Sequence, residues 1–168
     1  MILWKGLIHL YSIHSVKLKP LIISLIISLG VGGLSGFLTR NNTNNMENLK
    51  KPALTPPSWL FPIVWTILFI LMGISAYLVY MSDSNFKKPA LVFYALQLAA
   101  NFIWPIIFFN FSAYFLAFIW IIIIWLLILA MVKLFCNCSK TAGLLQLPYL
   151  LWVTFAGYLN YSIWILNR

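Results

Sequence analysis

A chain of 168 residues that is 63% hydrophobic, 17% aromatic and only 8% charged cannot cover a water-exposed surface, since soluble domains carry roughly 25% charged residues. The mean hydropathy of +0.97 makes lipid its solvent. The formal net charge of +9 does not point to nucleic acid, because the eleven Lys and Arg stand at the ends of apolar runs instead of lining one face, the pattern of membrane-interface anchoring.

Residues 1–19 read as an uncleaved amino-terminal interfacial extension: they have the charge and length of a weak signal sequence but no small-x-small cleavage site. His9 and His14 are five apart and share no helical face well, so they read as interface histidines and no metal site is expected. About 20 apolar residues make one helical crossing of a ~30 Å core. By that measure residues 20–168 form an all-α integral membrane bundle of five transmembrane helices, at 20–39, 57–81, 89–110, 113–135 and 141–166. Pro20, Pro57 and Pro89 are expected in first turns, where a missing N–H matters least.

In the first helix Ser24, Ser28, Gly32 and Gly36 recur every fourth residue. Such a small-residue stripe lets another helix approach closely, either inside the bundle or in a homodimer. The stretch 40–56 is an Asn- and Lys-rich polar loop. On the second helix Ser58, Phe61, Trp65, Phe69 and Met72 share one face; on the third, so do Tyr94, Gln97, Asn101, Trp104 and Phe108. The fourth helix ends near Cys136 and Cys138, too close in sequence for an unstrained bridge and too few for structural zinc, so they read as free thiols. On the fifth, Tyr149, Trp152, Ala156, Asn160 and Ile163 share a face.

Amides at membrane depth need partners, which turns these faces inward. They admit two readings: an aromatic core joined by amides, or a pocket for a flat, largely apolar ligand stacked on rings and oriented by amides. Glu47 and Asp83 lie in loops and no His lies in a span. No carboxylate proton carrier, nucleophile–base pair or phosphate loop is therefore present in the spans, and acid/base catalysis is not expected. Five crossings put the termini on opposite sides. Lys5, Lys17, Lys19, Lys87, Lys88, Lys133 and Lys140 fall on one side, against Arg40, Lys50, Lys51 and Arg168 on the other. The excess places the amino terminus in the cytoplasm, in a membrane expected to be the bacterial cytoplasmic one.

Four motifs, in order, are Lys50-Lys51-Pro52-Ala53-Leu54-Thr55-Pro56-Pro57-Ser58-Trp59, Val64-Trp65-Thr66 followed by Leu71-Met72-Gly73, Gln97 with Asn101 and Trp104, and the run from Pro148 to Asn160. Together they resemble the TspO/MBR family of tryptophan-rich sensory and translocator proteins, from about residue 28 to Asn167. The resemblance implies a five-helix membrane protein that binds porphyrin-type tetrapyrroles and similar flat hydrophobic ligands as a sensor or translocator. Its cavity would be lined by Trp65, Phe69, Gln97, Asn101, Trp104, Tyr149, Trp152, Ala156 and Asn160. No cofactor is implied, and protoporphyrin IX or haem would enter as ligand. An alternative implied role is weak light- and oxygen-dependent porphyrin degradation using Trp65 and Trp152; a third reading is a structural or partner-binding subunit. The chain departs from the family at Asn45 and Met46, where an aromatic pair is usual, and at Leu54, where Trp is usual. A cholesterol-type pattern fails at the carboxyl end but is met by Leu7, Tyr11 and Lys17.

Overall fold

The computed structural model describes residues 16–42 and 49–168. His9, His14, Leu7, Tyr11, Asn45 and Met46 lie outside the described residues. The elements are α1 (Leu18–Thr39), α2 (Leu60–Met81), α3 (Lys87–Pro105) continued by a π-helical turn (Ile106–Asn110), α4 (Tyr114–Cys138), a short α5 (Lys140–Leu144) and α6 (Leu147–Leu166). Taken with the π turn and with α5 joined to α6, they make five spans long and apolar enough to cross a membrane.

Two boundaries differ from the sequence expectation for a local reason. Residues 57–59 precede α2, and the chain there makes a turn closed by Leu60 N–H to Pro57 O at 3.0 Å. Pro62 takes the third position instead, as Pro20 does in α1 and Pro89 in α3. The last span is interrupted at Leu145–Gln146. Pro148 has no N–H to offer the Leu144 carbonyl, so the helix stops and restarts there. Upstream of the break, α5 lies against the end of α4 so tightly that a Cβ on Gly143 would collide with Cys136 Sγ and stand 3.1 Å from its backbone nitrogen.

Between helices, contact comes from small residues, as it must where lipid supplies no hydrophobic drive. Ser24 Oγ donates to Gly73 O at 2.6 Å, and a Cβ on Gly73 would sit 2.7 Å from Ser28 Oγ. Gly32 lies directly on the Phe69 ring. Ser24, Ser28 and Gly32 thus serve packing of α1 on α2 within the chain. Elsewhere α3 packs on α4 and α4 on α6, with Ile124, Ile128, Met131 and Phe135 forming a continuous buried ridge along α4. Only 11% of the most apolar stretch of the α1 span is buried within the chain.

Candidate functional site

The loop half of the bundle encloses a cavity of about 1030 Å³, at the top of the roughly 300–1,000 Å³ range of small-molecule sites. Helix α2 supplies Phe61, Trp65 and Phe69, spaced by one turn so that three rings stand one above another on the same wall. Trp65 and Phe69 lie 5.7 Å apart. Next to them, α6 contributes Trp152, Ala156 and Asn160 by the same spacing, with the Trp152 and Phe61 ring centroids 5.8 Å apart, and α4 adds Ile121 and Ile124. From α1 come Gly33, Ser35 and Gly36; a Cβ on either glycine would meet nothing within 4 Å, so their missing side chains leave room.

The wall made by α3 depends on a break in its helix. Pro105 cannot donate into the helical ladder, Ile106 N–H turns back to Ile103 O, and the Phe102 carbonyl is taken by Ser35 Oγ of α1 at 3.1 Å. The following π turn brings Phe108 onto Trp104, with ring centroids 5.3 Å apart and nearly parallel, and both line the cavity. A π turn at a cavity wall is a common way of re-aiming side chains at a functional site. Asn42 Nδ2, just past α1, donates to Asn110 Oδ1 at 2.9 Å and ties the end of this turn to α1.

Of the nine residues expected at the site, seven line the cavity: Trp65, Phe69, Asn101, Trp104, Trp152, Ala156 and Asn160. Gln97 and Tyr149 do not. Both are fully buried below it, where Asn101 Nδ2 donates to the Tyr149 hydroxyl at 2.7 Å and that hydroxyl donates to Gln97 Oε1 at 3.0 Å. Gln97 Nε2 reaches only the Met72 sulfur, at 3.9 Å. They share a helical face with the lining residues but lie a turn further along it, where their side chains are taken up by each other, by Asn101 and by Met72.

Sequence reasoning missed the contribution of α1 and the charge at the loop end. The stripe signal was present at Gly36, but packing and a vacant wall require the same small residues. Arg40 and Lys51 line the loop end of the cavity, with the Arg40 guanidinium 4.1 Å from the centre of the Phe37 ring.

Two indoles outside the cavity lining are hydrogen-bonded within the protein. Trp120 Nε1 donates to Ala100 O at 2.8 Å, and Trp125 Nε1 to Thr154 Oγ1 at 2.9 Å. Trp104 Nε1 and Trp152 Nε1 have no partner although both are buried, and neither has Asn160 Oδ1. The amide of Gln146, outside the cavity, is unpartnered as well.

Comparison with known proteins gives this arrangement its context. The model of the TspO/MBR family matches residues 22–165. The chain belongs to the TspO/MBR family. It is 40% identical to Protein CrtK of Rhodobacter capsulatus over 72% of this chain and 77% of that protein. With Tryptophan-rich protein TspO of Chlorobaculum tepidum it shares 38% identity over 88% and 94% of the two chains. It is also 33% identical to the Translocator protein of Bos taurus, over 80% of this chain and 85% of the bovine one. The family and the five apolar spans make the protein an integral membrane protein.

Proposed function

We propose that this membrane protein binds a flat, conjugated, largely apolar ligand of the tetrapyrrole class in the cavity beneath its long loop, and acts through that binding as a sensor or translocator. The observation that carries the reading is a cavity of about 1030 Å³ with Phe61, Trp65, Phe69, Trp104 and Trp152 among its walls and the amides of Asn101 and Asn160 among its few polar side chains. A flat ligand that stacks on Phe61 and Trp65 fits such walls, and the amides among them can orient its polar edge. Arg40 and Lys51 at the loop end favour a ligand that also carries carboxylates, as porphyrins do on their propionate arms. The relatives named as sensory and translocator proteins support the broader role.

The orientation that accompanies this role puts the amino terminus in the cytoplasm and the cavity toward the opposite face, in keeping with the basic excess at the ends of α1, α3 and α4. The test is a titration of the detergent-solubilised protein with protoporphyrin IX, following tryptophan emission. Saturable quenching with a micromolar or tighter midpoint is expected; emission that falls only in proportion to added porphyrin overturns the reading.

A further inference from the structure

The end of the bundle remote from the cavity carries a charge that the chain does not balance. The starts of α1, α3 and α5 and the ends of α2 and α4 lie there, and they bring Lys17, Lys19, Lys87, Lys88, Lys133 and Lys140 to one side with a single acid, Asp83. The other acidic residue of the chain, Glu47, belongs to the loop at the opposite end. Among the described residues neither the six lysines nor Asp83 form an ion pair, and the first turns of α1 and α3 hold no acidic residue.

Part of this end is built into one connected surface. The Lys17 backbone N–H donates to the Tyr77 hydroxyl at 3.1 Å and so seats the start of α1 near the end of α2. Three residues on, Tyr80 lies under Lys87, whose ammonium is 5.9 Å from the centre of the ring. Having accepted from the backbone, the Tyr77 hydroxyl still has its own proton to donate. Lys17, Lys19 and Lys88 are exposed and Lys87 is half-buried. Orienting a chain in the membrane takes basic charge alone; a tyrosine held against the α1 backbone and a lysine laid over a second tyrosine are geometry beyond that need. Beside the charge the surface turns apolar, with Leu18 and Ile22 one turn apart on α1 and Phe86 before α3 all exposed.

We propose that this surface binds an anionic phospholipid. Its phosphate accepts from the Lys17 and Lys87 ammoniums and from the Tyr77 hydroxyl, and its acyl chains run along α1 over Leu18 and Ile22. A soluble anion would meet the lysines but leave the apolar residues uncovered, whereas a phospholipid matches both. The cavity shares none of these residues, so the lipid surface stands whether or not a tetrapyrrole binds.

The test is native mass spectrometry of the solubilised full-length protein, titrated with phosphatidylglycerol or with phosphatidylcholine of the same acyl chains. Phosphatidylglycerol is expected to bind about tenfold more tightly, and the double variant Lys17→Gln, Lys87→Gln to lose most of that preference, since each lysine near an anionic headgroup contributes about fivefold. The charge-preserving pair Lys17→Arg, Lys87→Arg is expected to keep it. So is Lys50→Gln with Arg168→Gln, at the opposite end of the bundle. Equal affinities for the two lipids in the wild type overturn the proposal, as does a preference that survives in the glutamine variant. A preference lost in the arginine pair or in the opposite-end pair overturns it as well, because the loss would then not follow the charge at this end. Displacement of phosphatidylglycerol by millimolar inorganic phosphate would assign the surface to a soluble phosphate and overturn the lipid as its occupant.

Discussion

Asn101 donates to the Tyr149 hydroxyl at 2.7 Å and so joins α3 to α6 directly beneath the cavity. Because the same hydroxyl donates onward to Gln97 at 3.0 Å, one oxygen holds two buried amides. Tyr149→Phe removes that oxygen and strands both. Interhelical hydrogen bonds in membranes average about 0.6 kcal/mol each, so the variant is expected to lose on the order of 1 kcal/mol, read as a lower thermal midpoint in detergent. Ligand affinity is expected to shift severalfold as well, since Asn101 lines the cavity and loses its support. An unchanged midpoint would show that the chain of bonds contributes nothing.

Gly32 sets the position of Phe69. A Cβ there would overlap the ring, which is the movable partner in the contact. In Gly32→Val the ring is expected to swing, reshaping the aromatic wall and weakening porphyrin binding by about tenfold, on the scale of a lost aromatic contact. Gly30, where an added Cβ meets nothing within 4 Å, provides the control. Gly30→Ala should bind as the wild type does.

What the sequence disclosed, it disclosed through period and chemistry. Apolar runs and the four-residue spacing of Trp65 with Phe69, or of Trp152 with Ala156 and Asn160, are enough to find helices and inward faces, because both depend only on neighbours along the helix. Depth along a face is a different quantity. Gln97 and Asn101 are one turn apart and chemically alike, yet only Asn101 reaches the cavity. The difference arises from what other helices place beside each turn, Gln97 meeting the Tyr149 hydroxyl of α6 and the Met72 sulfur of α2, which is a property of pairs of helices. The break at Leu145–Gln146 was hidden for a related reason: the seat of α5 on α4 depends on the contact of Gly143 with Cys136 as well as on Pro148.

At the loop end, Asn167 grips the backbone of Lys50 from both sides, accepting its N–H at 3.0 Å and donating to its carbonyl at 2.9 Å. The next residue, Lys51, lines the cavity. Asn167→Ala is expected to free this stretch of loop and to speed ligand release severalfold with little change in global stability, because the bonds are exposed. Stopped-flow recovery of tryptophan emission after dilution measures the release. An unchanged rate would show that the loop does not hold the ligand in.

Topology is testable without a ligand. Reporter fusions after Lys140 and after Arg168 are separated by a single span, Lys140–Leu166. They are expected to report opposite compartments, with Lys140 cytoplasmic according to the distribution of basic residues. The same compartment from both would mean that the interrupted α5–α6 segment does not cross.

The two classes of tryptophan make opposite predictions about stability and binding. Trp125 spends its N–H on Thr154, so Trp125→Phe leaves the Thr154 hydroxyl without that donor and is expected to reduce stability by a few tenths of a kcal/mol to about 1 kcal/mol. Its ring is not among the cavity walls, and porphyrin affinity should be unchanged. Trp152 has a buried N–H with no partner. Trp152→Phe therefore removes an unsatisfied donor together with part of a ring, two changes of opposite sign, and the ligand-free protein should lose little or no stability. Binding is where that substitution should tell: the stacking surface shrinks, for an expected loss of 1–3 kcal/mol, roughly ten- to a hundredfold. Thermal midpoints and protoporphyrin IX titrations on the two variants together decide the matter. If Trp152→Phe were destabilised like an ordinary core substitution while its affinity stayed at the wild-type value, the indole would be packing, and the cavity would have to recognise its ligand elsewhere.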